Sequence, residues 1–146
     1  MIRKITSADK EVFFSLTEQF YQSDAVLHPI PAVCHERTFE ELMRSDVYLE
    51  CLILEQNGQT AGYALLNKMY THEMGGMVIW IEELYVLPEY RSCGLGTEFF
   101  QYLEQHYSDA NFRLELMPDN QRAAKLYSRM GFEPLTYAQM VKNKEK

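Results

Sequence analysis

Cysteine is scarce. The 146 residues contain three, Cys34, Cys51 and Cys93, an odd number at wide spacings with no CxxC pair. A disulfide framework and a structural zinc site are therefore not expected, and no Cys/His cluster at metal-ligand intervals suggests any other metal. Long apolar runs are also absent. No stretch approaches the ~18 apolar residues of a membrane span, and the basic pair Arg3-Lys4 has no apolar run behind it that would make a targeting segment. The expectation is a soluble cytoplasmic protein that engages no membrane. Positive charge is in short supply, with 14 Lys+Arg against 21 Asp+Glu and a net charge of -7. A field of that sign repels phosphate backbones, so nucleic acid is not the expected partner. An anionic ligand has to be held by local geometry instead. Glycine and proline, at 7 and 5 residues, are too few for a repetitive or fibrous chain.

What is present is ordinary globular material, 47% hydrophobic and 24% charged. At roughly 100–200 residues per domain, the length predicts one domain over 1–146. A strand over Ile2 to Ile5 leads into Thr6-Ser7-Ala8-Asp9, which offers caps for a helix carrying Val12, Leu16 and Phe20 on one face. His28-Pro29-Ile30-Pro31 ends that helix. A second is predicted from Thr38, where Thr38 and Glu41 have capping-box spacing, towards Asp46. Tyr48 to Glu55 and Thr60 to Tyr70 read as strands joined by an Asn57-Gly58 hairpin turn, with Met77 to Leu87 as a third strand closed by Pro88. A helix bearing Leu95, Phe99 and Leu103 follows, then a strand from Phe112 to Leu116 and a helix capped by Asp119 or Asn120 and ended by Gly131. Phe132 to Val141 is expected to hold one or two short strands before a frayed Lys-rich tail.

The sharpest feature is strand, proline, then a loop with Arg91-x-x-Gly94-x-Gly96 opening a helix. Such a turn directs several N–H groups at a ligand from the positive end of a helix, which suits phosphate. It lacks the G-x-G-x-x-G of a dinucleotide site and the Gly-Lys-Ser/Thr of a Walker loop. Ile81-Glu82-Glu83-Leu84-Tyr85-Val86, the loop Arg91-Ser92-Cys93-Gly94-Leu95-Gly96, and Asn120-Gln121-Arg122-Ala123-Ala124-Lys125-Leu126-Tyr127 followed by Gly131-Phe132 together resemble the GNAT superfamily of N-acetyltransferases. The pairing of the (Q/R)-x-x-G-x-(G/A) loop with the downstream N-x-x-A-x-x-x-Y-x-x-x-G-F helix makes the resemblance specific, and it runs over nearly the whole chain.

The resemblance implies an α/β (α+β) fold: a mixed, mostly antiparallel central sheet of six to seven strands flanked by about four helices. It implies acetyl-CoA as co-substrate, its pyrophosphate held by the amides of Arg91, Ser92, Cys93, Gly94, Leu95, Gly96 and Thr97. Its pantetheine arm would lie along Leu84, Tyr85 and Val86. Asn120 would contact the cofactor, and Tyr127 would aim its hydroxyl at the sulfur as general acid. Cys93 is expected to act through its backbone alone.

An alkyl amine has a pKa near ~10, so at neutral pH a base must unmask the nucleophile. Glu82 is the favoured base or water-orienting group, with Glu83 the alternative or a contact for the substrate amine. Strict alternation puts Trp80, Glu82, Leu84 and Val86 on one face and Ile79, Ile81, Glu83 and Tyr85 on the other, unless a bulge intervenes. Asp24, His28, His72 and Glu73 are further candidates for acceptor contacts.

The function expected is transfer of an acetyl group to a primary amine, a small cationic one given the acidic balance, by direct attack in a ternary complex. The alternatives are a non-catalytic coenzyme A-binding module, acetylation of a protein amine, and transfer of another acyl group. The family's habit of pairing makes a homodimer an option.

Overall fold

A computed structural model describes residues 1–144. β1 (Ile2–Lys4) is followed by a single 3-10 turn and α1 (Lys10–Tyr21), then α2 (Ala32–Arg44). The meander β2 (Leu49–Gln56), β3 (Gln59–Thr71) and β4 (Gly76–Val86) leads through the 88–90 turn to α3 (Leu95–His106), β5 (Asn111–Leu114) and α4 (Gln121–Arg129). The sheet order is β1-β2-β3-β4-β5, antiparallel throughout except for the parallel pair β4 and β5. Mixed sheet and four helices are as the sequence implies.

Successive residues of the central strands feed opposite layers. Leu52, Leu54, Ala64, Leu66, Ile79 and Ile81 pack under α3, where Leu95, Phe99, Phe100 and Leu103 are buried. Cys51, Ile53, Tyr63 and Leu65 pack under α1 and α2, against Phe13, Leu16, Phe20 and Phe39. Burying one such Leu or Phe contributes about 1.5–3 kcal/mol, so the three strands of the meander are held from both sides. The hairpin turn is as expected, with Asn57 and Gly58 at φ 52° and 74°, the positive pair that a two-residue turn between twisted strands needs.

Three expectations are corrected. The sheet has five strands among the described residues, not six to seven, because Phe132 to Val141 forms none. Pro134 breaks that segment, and Leu135, Tyr137, Met140 and Val141 stand exposed instead of packing beside β5. Of the Lys-rich tail, Glu145 and Lys146 lie outside the described residues. The second helix begins at Ala32 and not Thr38, because Pro31 at φ -59° already sets the entry into a helix. Thr38 sits inside it, its hydroxyl donating to the Cys34 carbonyl at 2.7 Å.

The third correction concerns β4. Leu65 pairs with Glu83 and Leu66 with Ile81, so Glu82 is the extra residue of a β-bulge. Side chains change face across it. Ile79 and Ile81 share the α3 layer with Leu84 and Val86, whereas Tyr85 belongs to the α1/α2 layer. Glu83, bonded to Tyr63 of that layer, goes with Tyr85. Strict alternation keeps Ile79, Ile81, Glu83 and Tyr85 together, and the bulge allowed for in the sequence reading separates them.

No helix among the described residues is long and apolar enough to cross a membrane. No group of three or more His, Cys, Asp or Glu side chains among them is placed to hold a metal ion.

Candidate active site

β5 pairs with β4 only from Val78 to Ile81, opposite Asn111 to Leu114. Beyond that point β4 runs on to Val86 with one edge bare. Leu87 N–H donates inward to Ala61 O at 2.8 Å, and Arg91 Nε reaches Val86 O from the other side at 2.9 Å. Alternation along the strand therefore turns the polar backbone of Leu84 and Val86 towards the gap. Into this gap opens a cleft of about 940 Å³, bordered by Glu82, Leu84, Val86, Asn120, Tyr127 and the 91–97 loop.

The loop is shaped by two residues at positive φ, Ser92 at 63° and Gly94 at 82°. Its first helical bond runs from Glu98 N–H to Gly94 O at 3.0 Å. The N–H groups of Leu95, Gly96 and Thr97 precede that bond and have no carbonyl of their own helix to meet. They form the positive end of α3 at the cleft. Gly96 serves a second purpose: a Cβ there would lie 2.6 Å from Leu126 Cδ2, so the missing side chain lets α4 pack onto the head of α3. Arg91 is tied to Val86 O, and its guanidinium lies 5.7 Å from the centre of the Tyr85 ring. Cys93 is exposed and does not border the cleft.

α4 brings the other expected side chains. Asn120 caps it, Oδ1 accepting from Ala123 N–H at 3.2 Å. Tyr127 lies 5.9 Å from Phe100 and from Phe132, ring centre to ring centre, and borders the cleft. Burial alone pushes its phenol up, so the hydroxyl keeps its proton at neutral pH.

Across the bulge lies a second, smaller chamber of about 160 Å³ in the α1/α2 layer. Tyr21, Ile30 and Glu82 border both cavities, whereas Glu83 borders only the chamber. Glu83 is 5% exposed and accepts from the Tyr63 hydroxyl at 2.6 Å. Burial pushes its carboxyl up, against the pull of the Tyr63 and Tyr21 phenols towards the charged form. Glu82 accepts from Asn67 Nδ2 at 2.8 Å, and burial with the nearby charge of Glu115 raises its carboxyl too. Neither glutamate has a cationic partner within salt-bridge distance among the described residues. Two raised, unpaired carboxyls on one chamber suit proton transfer and attraction of a cation.

Asp24 and His28 border the cleft as the sequence suggests, but His72 and Glu73 border neither cavity, and Glu73 faces Arg113 at 3.6 Å. Sequence reasoning missed Thr17, His35 and Tyr63. No spacing links them, because α1, α2 and β3 bring them together only in the fold. The one local hint was Tyr63, a large residue set among Ala61, Gly62 and Ala64.

Residues 11–132 match the family described as Acetyltransferase (GNAT). Thialysine N-epsilon-acetyltransferase of Sus scrofa is 31% identical with 68% of each chain covered, and that of Mus musculus is 29% identical with 66% of each covered. The chain spans about two thirds of the length of these curated relatives. Among solved structures, AAC(6')-Iy in complex with the bisubstrate analog CoA-S-monomethyl-acetylneamine is similar at a TM-score of 0.79 and 19% identity, over 99% of this chain and 97% of that one. A possible acetyltransferase from Clostridium difficile 630 is similar at 0.84 and 14%, over 100% and 98%. At these identities the structural likenesses speak for the fold.

Proposed function

The chain belongs to the GNAT acetyltransferase family, and so to the acyltransferases by class; from that premise we propose that residues 1–146 form one domain transferring the acetyl group of acetyl-coenzyme A to a small cationic primary amine. The observation that carries this reading is a convergence on one cleft: the residues at the head of α3, the bare edge of β4 and Tyr127 all border it. These groups fit the co-substrate. In the loop from Arg91 to Thr97, where every residue but Cys93 borders the cleft and the Arg91 amide is already bonded to Pro88 O, the remaining free amides would take the diphosphate, despite a net charge of -7. Leu84, Tyr85 and Val86 would hold the pantetheine arm by strand-like bonds, an outward N–H polarising the thioester carbonyl. Asn120 would add a side-chain contact from α4.

Acetyl-coenzyme A brings an activated acyl group; the protein's task is to move protons and place the nucleophile. Glu82, at the junction of cleft and chamber, takes the proton of the acceptor directly or through water, with Glu83 as the second carboxylate of the pair. The freed amine attacks in a ternary complex, without a covalent enzyme intermediate, and Tyr127 returns a proton to the departing sulfur. The two unpaired carboxylates and the acidic surface favour a cationic acceptor, and the same charge disfavours nucleic acid and anionic membranes. The reduced cysteines Cys34, Cys51 and Cys93 fit a cytoplasmic setting. Release of free thiol from acetyl-coenzyme A is the test, run with thialysine, lysine, neamine and a peptide amine beside calorimetric titration of coenzyme A. Thiol release with one of the small amines supports the reading. Binding without turnover would instead make the chain a coenzyme A-binding module, and turnover with the peptide alone would make it a protein acetyltransferase.

A further inference from the structure

The chain past α4 carries apolar side chains that the fold does not use. Phe132 is the last residue anchored: its N–H donates to Tyr127 O at 3.0 Å, and its ring centre lies 5.3 Å from that of Phe100. From Glu133 to Lys144 no backbone group is hydrogen-bonded among the described residues. In this stretch Leu135, Tyr137, Met140 and Val141 stand 62%, 72%, 98% and 82% exposed. A single exposed apolar residue is ordinary, but four so close together make a patch of the kind that marks an interaction surface.

At the end of the sheet, β5 has β4 on one edge and no strand on the other. An open edge of this kind accepts an extended chain through its outward N–H and C=O groups. Phe112 and Leu114 turn towards the α3 layer and are only partly covered there, and Leu116, just beyond the strand, is also exposed. Charge points the same way. Asp109, Glu115 and Asp119 flank β5 with Arg113 as the one cation between them, whereas the chain after Pro134 carries Lys142, Lys144 and Lys146 against Glu145 alone. Each copy thus holds a basic apolar segment and an acidic apolar edge, and within one chain the two do not pair.

We propose that two copies of this chain exchange these segments, each laying residues 134–142 along the outer edge of the other's β5. Extended, the segment reaches about 30 Å, enough to cover the four residues of β5 and the chain on both sides of it. An antiparallel register with Tyr137 opposite Leu114 brings Leu135 to Leu116 and Lys142 to Asp109. Leu135, Tyr137 and Val141, all on one side of such a strand, then continue the apolar face of Phe112 and Leu114. Pro134 stands at the first position of the added strand, where a missing N–H removes no ladder bond. It becomes the hinge of the exchange. Each copy gives one segment and receives one, so twofold symmetry closes the assembly and leaves no β5 edge for a third copy. The strand expected after Phe132 thereby forms between copies and not within one.

Sedimentation equilibrium and amide hydrogen exchange on the full chain test this. The expected result is a species of twice the 17.2 kDa chain mass, with slow exchange from Leu135 to Val141 and along β5. Leu135→Lys/Tyr137→Lys is expected to weaken association at least about tenfold and to speed exchange in the segment and in β5 together. Both positions are exposed in the single chain, so the variant still folds. Tyr137→Ala, with a milder loss of affinity, lets dilution separate the copies, and protection of the segment is expected to fall with the dimer. A wild type that stays monomeric or grows past the dimer overturns the exchange. Protection that persists in diluted, monomeric Tyr137→Ala overturns it by placing the strand within one chain. A dimer that survives the lysine pair, or that leaves the segment unprotected, overturns it by putting the interface elsewhere.

Discussion

Gly96 and Leu126 touch where two helices meet at the cleft: a Cβ added to Gly96 would lie 2.6 Å from Leu126 Cδ2, inside any permitted contact. Gly94, two residues earlier, has open space around it but a φ of 82°. The two glycines therefore serve different physical needs within one loop. Gly96→Ala is expected to turn the end of Leu126 aside and leave α4 in place, costing about 1 kcal/mol. Gly94→Ala is expected to cost about 1–2 kcal/mol through backbone strain. Calorimetric titration of coenzyme A with denaturant unfolding checks both, and affinity falls more in Gly94→Ala, which distorts the amides themselves.

Glu83→Gln separates stability from chemistry. A carboxyl whose pKa is raised by folding holds its proton more tightly in the native state, so the native state is favoured at low pH. That advantage is lost as pH rises through the raised value. Glu83→Gln, which still accepts from Tyr63, is expected to unfold at a higher temperature than the wild type in mildly alkaline buffer, the gap closing as the pH falls below the ordinary carboxylate range. Its turnover falls at the same time. Glu82→Gln is expected to slow turnover more, by about 10² or greater, and a pH profile in which both variants keep full speed would remove the pair from the mechanism.

Tyr127→Phe keeps the ring that packs on Phe100 and Phe132 and deletes only the hydroxyl. Stability is expected to change by less than about 0.5 kcal/mol, as for changes that open no cavity. Turnover at saturating acetyl-coenzyme A is expected to fall by about 10²–10⁴. Unchanged turnover would end the acid role.

Acid sensitivity has a separate source, far from the cleft. Arg3 grips Asp9 through two bonds of 2.9 Å and Glu55 through one of 2.8 Å, joining β1 to the turn before α1 and to the end of β2. Asp9 also accepts the Thr6 N–H at 2.8 Å. Chiefly through Arg3, its carboxyl is pulled down to about 2. A lowered carboxyl contributes stability above its ordinary value, and this is lost as pH falls through the lowered one. Asp9→Asn is expected to destabilise by about 2 kcal/mol at neutral pH. In urea titrations the difference should shrink as the pH drops from about 4 towards 2.

The meander and the α3 and α4 signals were legible because each rests on residues close in sequence: Asn57-Gly58 for the turn, Gly94 for the head of α3, Asn120 and Gly131 for the ends of α4. The bulge at Glu82 was not, since it arises from how β3 and β4 pair and leaves no mark in either strand alone. It decides which glutamate faces which cavity. Helix α2 was misplaced because capping-box spacing at Thr38 competed with Pro31, and the proline's fixed geometry prevailed. The expected final strands failed although β5 leaves an outer edge free, because Pro134 interrupts the segment and Leu135, Tyr137, Met140 and Val141 stand exposed. Thr17, His35 and Tyr63 lay hidden for a simpler reason, that only tertiary packing makes them neighbours.

The bare edge of β4 beyond Ile81 means that the sheet is unfinished by itself. A ligand that lays an extended amide chain along Leu84 to Val86 would act as a temporary strand, and its binding energy would become folding energy. By mass action, a ligand at one hundred times its dissociation constant adds about 2.7 kcal/mol to the native state. Slowed hydrogen exchange at Leu84 and Val86 would report that the borrowed strand is in place, and the protein's resistance to unfolding would then rise and fall with the supply of its co-substrate.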